Sequence, residues 1–154
     1  MNPSLSGNPE RVHEAVAEFA EAFDASTDVN LWMELVNEES QECLDAIRND
    51  DKLNGLKEAA DLMYVVAGLA RVLPDDMDER LEAELKFVIL DAFYTAVHIK
   101  GYFNFCGTQI MEAFYRVHAS NMSKLGEDGK PIRREDGKIL KGPNYREPDL
   151  TDLV

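Results

Sequence analysis

The sequence predicts an all-α fold: a bundle of about five helices followed by an irregular C-terminal arm that holds a hairpin or a pair of turns. Three observations carry this reading. Apolar residues recur at three- and four-residue spacing from Val12 to Leu125. Capping residues, prolines and glycines divide that span into pieces of ordinary helix length. After Lys124 the helical period stops, and Glu127-Asp128-Gly129-Lys130 is repeated as Glu135-Asp136-Gly137-Lys138. Each copy carries an Asp-Gly turn signal with short extended pieces beside it.

The elements follow in order. Asn8-Pro9-Glu10 combines a capping side chain, a proline suited to the first turn and an acid near the positive end of the helix dipole. Val12, Val16, Phe19 and Phe23 then mark one apolar face, so the first helix runs to about residue 23. Asp28 or Asn30 caps a second helix over 31–48, and a polar turn occupies 49–55. The third helix covers 56–73 and is stopped by Pro74; between Ala59 and Ala70 it is apolar nearly all round, the mark of a helix enclosed by others. Pro74-Asp75-Asp76 opens a fourth, through Leu81, Leu85, Val88, Ala92 and Ile99 to near Gly101, and Thr108 caps a fifth over 109–124. The whole chain, 1–154, reads as one domain, with the bundle in 1–125 and the arm in 126–154.

Charge narrows the partners. Thirty Asp and Glu face sixteen Lys and Arg, a formal net charge of −14. An acidic surface argues against a nucleic-acid polymer or an anionic membrane as partner. It does not exclude a small phosphorylated ligand, because divalent cations bridge carboxylates to phosphates. Seven of the sixteen basic residues lie between Lys124 and Arg146, so an acidic body carries a basic arm. No apolar stretch is long enough to span a bilayer, and Met1-Asn2-Pro3-Ser4 does not open a signal peptide, so a cytoplasmic protein is expected. Cys43 and Cys106 allow one disulfide by arithmetic, but reduced thiols suit that compartment better.

The strongest chemical signal is acids in apolar faces. On a wheel of roughly 100° per residue with Leu31 at zero, Leu35 falls near 40°, Trp32 near 100°, Glu42 near 20° and Glu39 near 80°. Glu39 and Glu42 therefore read as lying in the apolar sector, with Glu38 at its border. On the third helix Glu58 shares a face with Leu62, Val65 and Leu69, and Asp61 follows one turn along. Carboxylates gathered in a core cost many kcal/mol unless something neutralises them. The acids read as having no basic residue near them, so a hard cation held by oxygen ligands is expected. Asp91, in Phe87-Val88-Ile89-Leu90-Asp91-Ala92-Phe93, is another acid in an apolar run; it suits a substrate base or sugar and, equally, an internal salt bridge or cap. His13, His98 and His118 form no ligand pattern and read as structural.

The run Glu38-Glu39-Ser40-Gln41-Glu42, followed after the turn by Glu58-Ala59-Ala60-Asp61, resembles the signature of the all-α nucleoside triphosphate pyrophosphohydrolases. This MazG-like superfamily includes the all-α dUTPases, the dCTP pyrophosphatases and phosphoribosyl-ATP pyrophosphohydrolase. The stretch from Val117 to Leu125, with Asp136-Gly137-Lys138 and Lys141-Gly142-Pro143-Asn144, resembles the C-terminal segment of the phage and bacterial branch. Within it the phage dATP/dGTP pyrophosphohydrolases of MazZ type are most similar. The fourth helix is longer than in compact members.

The resemblance implies hydrolysis of a (deoxy)nucleoside triphosphate to monophosphate and pyrophosphate, by water attack at the α-phosphorus, with Mg²⁺ as cofactor and Mn²⁺ able to substitute. It implies purine deoxynucleotides, dGTP or dATP, as substrates, with a pyrimidine enzyme for dCTP or dUTP as the alternative. Glu39, Glu42, Glu58 and Asp61 would be metal ligands. Glu38 would be a further ligand or, with Glu39, position the water. Asn121, Lys124, Lys138 and Lys141 would contact phosphates. Trp32, Asn37 and Asp91, with Met33 as a weaker candidate, are the residues read for the base, Trp32 being equally suited to the core. A homo-oligomer, dimer or tetramer, is expected, in the host cytoplasm if the gene is phage-borne. Two rivals are weaker. A di-iron bundle needs Glu-x-x-His on two helices, and only Glu10 to His13 fits. An acidic helical bundle that merely binds a basic partner has no use for acids in its core.

Overall fold

The computed structural model describes residues 9–135 and 139–154, without the side chains of Pro9 and Glu10. The bundle has five helices: α1 (Pro9–Ala22), α2 (Val29–Arg48), α3 (Lys52–Val72), α4 (Glu79–Phe103) and α5 (Gly107–Met122). Two short strands, β1 (Ile132–Arg133) and β2 (Ile139–Leu140), form an antiparallel hairpin, with Ile132 opposite Leu140 and Arg133 opposite Ile139. Of the two Asp-Gly turns, that at Asp128-Gly129 closes through the Gly126 N–H to the Lys130 carbonyl (2.8 Å), with Gly129 at φ 73°. The second, at Asp136-Gly137, lies outside the described residues.

The centre is α3, which packs against α1, α2, α4 and α5. Its buried side chains run all round it, from Leu56 and Ala60 to Tyr64, Val65 and Leu69. Gly68 is required there. The Trp32 ring lies so close that a Cβ on Gly68 would sit 2.0 Å from Cζ3. Trp32 is held from its other end, where its Nε1 donates to the Ser26 carbonyl at 2.8 Å.

Helix boundaries differ from expectation where a cap outcompetes a breaker. The α3 helix begins at Lys52 rather than 56, because the Asp51 carboxylate accepts the Asn54 N–H (3.0 Å) and caps it. Gly55 is thereby absorbed into the helix, where the Phe103 ring covers it: a Cβ would meet Cε2 at 2.5 Å. The α2–α3 turn shrinks to three residues, Asn49 to Asp51, and folds α3 back along α2. The α4 helix starts after Asp78, whose carboxylate accepts the Leu81 N–H, not at Pro74. It runs through Gly101 to Phe103 and ends on Asn104 in the left-handed region, φ 56°. At α5 the capping residue is Cys106, whose N–H donates to Gln109 Oε1 (2.8 Å); Thr108 instead lies 3.0 Å from the Cys106 sulfur.

The arm is tied down along α5. Gly142 N–H donates to the Lys124 carbonyl and Ser120 Oγ to the Arg146 carbonyl (2.7 Å). Further on, Arg116 reaches the Asp149 carbonyl and the Asp152 carboxylate, and Gln109 Nε2 the Leu153 carbonyl. Leu150 closes the segment into the core. Both cysteines are free thiols. Among the described residues no helix is long and apolar enough to cross a membrane.

Candidate active site

The α2–α3 hairpin brings Glu39, Glu58 and Asp61 together, with one carboxylate oxygen of each within 4.8 Å of the others. Glu58 is 4% exposed, while Glu39 and Asp61 are half-buried. Burial first, then Asp61, Glu42 and Glu58, pushes the Glu39 carboxyl up to about 8. Glu58 and Asp61 are raised by burial too, against the opposing pull of Lys57. One oxygen, Glu39 Oε2, is buried with no hydrogen-bond partner. An unpaired carboxylate oxygen among clustered acids costs several kcal/mol and asks for a cation.

Glu42 stands differently from expectation, while Glu38, expected at the border of the apolar sector, lies on its solvent side. Both are exposed. The residues that α2 buries are Trp32, Met33, Val36, Ser40, Cys43 and Ala46. On the wheel used above they occupy a sector from about 60° to 200°. Leu31, which set the zero, is itself 41% exposed. Glu39 therefore lies at the edge of the buried stripe and Glu42 just outside it. Glu42 still acts on the cluster by charge, raising Glu39, Glu58 and Asp61. Glu38 lies outside the three-acid group.

A cation is already present. Lys57 Nζ lies 2.7 Å from Asp61 Oδ2 and 3.3 Å from both Glu58 oxygens, which corrects the expectation of acids without a basic partner. Its position one residue before Glu58 and four before Asp61 was readable as a helical ion pair. Burial lowers the Lys57 ammonium's proton affinity, but Asp61 and Glu58 more than reverse this and hold it charged.

Glu39, Lys57 and Asp61 open into a cavity of about 410 Å³. Its polar wall is Glu39, Lys57, Asp61, Asn121 and Lys124, and its apolar wall includes Phe19, Trp32, Tyr64 and Tyr145. Lys124 donates to Asn121 Oδ1 at 2.9 Å, and burial lowers its pKa. Tyr64, which the sequence reading passed over, is set by a relay across three helices: its hydroxyl is 3.0 Å from His118 Nδ1, and His118 Nε2 is 3.1 Å from Glu18. His118 is thus a positioning group for the wall, and His98 only packs edge-on to Tyr102. A larger cavity, about 620 Å³, lies away from the acids between α4 and the bundle, with His13 on an otherwise nearly all-apolar wall. His13 and Lys100 are its ionisable lining residues and it has no carboxylate to hold a metal, so the smaller cavity is the candidate site.

The other candidates scatter. Trp32 lines the cavity and also belongs to the core. Met33 is core, and Asn37 is exposed and does not line the cavity. Asp91 is exposed on α4, outside it. Lys141 pairs with Glu147 at 3.6 Å and stands 4.3 Å over the Tyr145 ring, one residue removed from the cavity wall. Lys138 lies outside the described residues.

Residues 9–83 match the family model for phosphoribosyl-ATP pyrophosphohydrolase, PRA-PH. The match takes in α1 to α3, with all three clustered acids, and ends early in α4. No match was found among curated proteins or among solved structures.

Proposed function

Since the chain carries a PRA-PH domain, and so belongs to the MazG-like all-α nucleoside triphosphate pyrophosphohydrolases, we propose that this nucleotide pyrophosphohydrolase acts on purine deoxynucleoside triphosphates, releasing pyrophosphate with the help of Mg²⁺. The observation that carries the reading is the convergence of Glu39, Glu58 and Asp61 within 4.8 Å beside an unpaired Glu39 oxygen. An all-oxygen donor set of this kind fits Mg²⁺ or Mn²⁺ rather than a soft metal. Glu39, Glu58 and Asp61 would hold the ion, with Glu42 and Glu38 at the rim. When bound, such an ion polarises phosphoryl oxygens and lowers the pKa of water.

The protein's own groups do the rest. Lys124, fixed by Asn121, faces the cavity as a counter-charge for the phosphates. Lys141, with Lys138, would add charge from the arm. Glu38, or Glu39 once the ion has displaced its proton, would position the attacking water. The aromatic wall of Phe19, Trp32, Tyr64 and Tyr145 offers flat apolar surface to a base. The arm completes that wall, which supports reading the bundle and arm as a single domain. The free thiols suit a reducing cytoplasm.

The first experiment is a screen of canonical dNTPs and NTPs, with phosphoribosyl-ATP included, for pyrophosphate release in Mg²⁺. Faster turnover of dGTP and dATP than of dCTP and dUTP is expected, and the opposite order would make this a pyrimidine enzyme. Glu39→Gln or Glu58→Gln should lower kcat by about a hundredfold or more with an unchanged helical spectrum. Near-normal turnover in either variant would show that the site is elsewhere.

A further inference from the structure

We propose that Lys57 is a built-in counter-ion: its ammonium neutralises the acid cluster of the empty enzyme, gives way to the divalent cation, and then turns to the triphosphate. The inference rests on reading that cluster as the metal site. Three carboxylate oxygens converge on Lys57 Nζ, one from Asp61 and two from Glu58. An ammonium has three protons to donate, so this side chain is fully engaged. It is nonetheless a single charge among three clustered acids, and Glu39 Oε2 stays without a partner. The cluster is neutralised only in part.

The two sides of the contact differ in freedom. Glu58 and Asp61 side chains are 6% and 20% exposed, whereas Lys57 is 43% exposed on a four-carbon stem. The partner able to leave is the lysine. A divalent charge among the same oxygens would repel the ammonium and outbid it for them. Lys57 lines the cavity that Lys124 also lines, so the released ammonium stays at the wall where polyphosphate would lie. The enzyme thus avoids leaving three acids uncompensated between turnovers, and the same lysine becomes a phosphate contact once the ion is in place.

The test compares the full chain with Lys57→Met, which keeps the stem and removes the charge, by thermal melting at pH 8 in chelator and in saturating Mg²⁺. In chelator the variant should melt lower by about 4 °C or more, and in Mg²⁺ the gap should close or reverse. Calorimetric Mg²⁺ affinity should rise at least about fivefold in the variant, since no ammonium has to be displaced. An equal melting gap in both conditions, with unchanged affinity, overturns the proposal and leaves an ordinary salt bridge. If Mg²⁺ neither binds nor stabilises either protein, the metal-site reading itself falls, and the proposal with it. A second measurement serves if Lys57→Met does not fold in chelator. The reductively ¹³C-methylated wild-type chain gives a Lys57 signal, assigned by its loss in Lys57→Arg. That signal should shift with Mg²⁺ and again with a non-hydrolysable dNTP; a signal unmoved by Mg²⁺ overturns the proposal.

Discussion

At the scale of single residues, Glu39 links the chemistry to stability. Its carboxyl is raised from an ordinary 4.5 to about 8, so between those values the folded protein holds a proton that the unfolded chain releases. Stability contributed by such a group is whole below about pH 4.5 and is lost as pH rises through 8. Glu58 and Asp61 shift the same way. In chelator the melting temperature should therefore fall from pH 5.5 to pH 8.5, and Glu39→Gln should flatten the decline. A pH-independent melting temperature would mean that the acids are not strained as described. This residue also shows what a helical wheel can and cannot say. Its spacing to Trp32 and Leu35 exposed it as an acid out of place. Whether Glu42 shared that position depended on where the buried stripe was centred, and neighbouring helices decide that. The ion pair of Lys57, by contrast, was open to reading at i,i+4 from Asp61.

At the scale of elements, the five helices were legible because apolar period and caps agreed along most of the chain. The errors sit where two local signals competed. Asp51 and Asp78 capped helices that glycine or proline had been expected to bound, and tertiary contacts such as Phe103 over Gly55 settled the contest. The course of the arm was not legible, since its anchors along α5 are polar contacts between residues far apart in sequence, without a periodic trace. Arg116 is the main tie, holding the Asp149 carbonyl and the Asp152 carboxylate. Arg116→Ala should release the end of the arm, unseat Tyr145 and Pro148 from the cavity wall, and raise KM roughly tenfold with little change in kcat. Steady-state kinetics with limited proteolysis would check it; an unchanged KM would divorce the arm from substrate binding.

At the scale of the whole molecule, the surface of α4 calls for a cover. Phe87, Leu90, Phe93, Tyr94, Val97 and Tyr102 are 50–76% exposed on this one helix, and the larger apolar cavity opens beside them. Monomeric proteins rarely present so continuous an apolar face. With a net charge of −14, distant parts of two copies repel, so a homo-oligomer would form through a face such as this, where charge is sparse. Phe93→Glu with Val97→Glu should shift the protein toward monomer in sedimentation velocity. A monomeric wild type at micromolar concentration would remove the oligomer from the account. The family match ends early in α4, so this face belongs to the part of the chain for which the family gives no guide.

Trp32 leaves the molecule with its own optical reporter. It is the chain's one tryptophan, it is buried, and its ring forms part of the cavity wall. Intrinsic emission excited at the indole band therefore comes from the candidate site alone. A nucleotide entering the cavity should quench or shift that emission, while inorganic pyrophosphate, which has no base to stack, should leave it nearly unaltered. A titration without label or coupled assay would then separate occupancy from turnover, and equal responses to both ligands would place the base away from the indole.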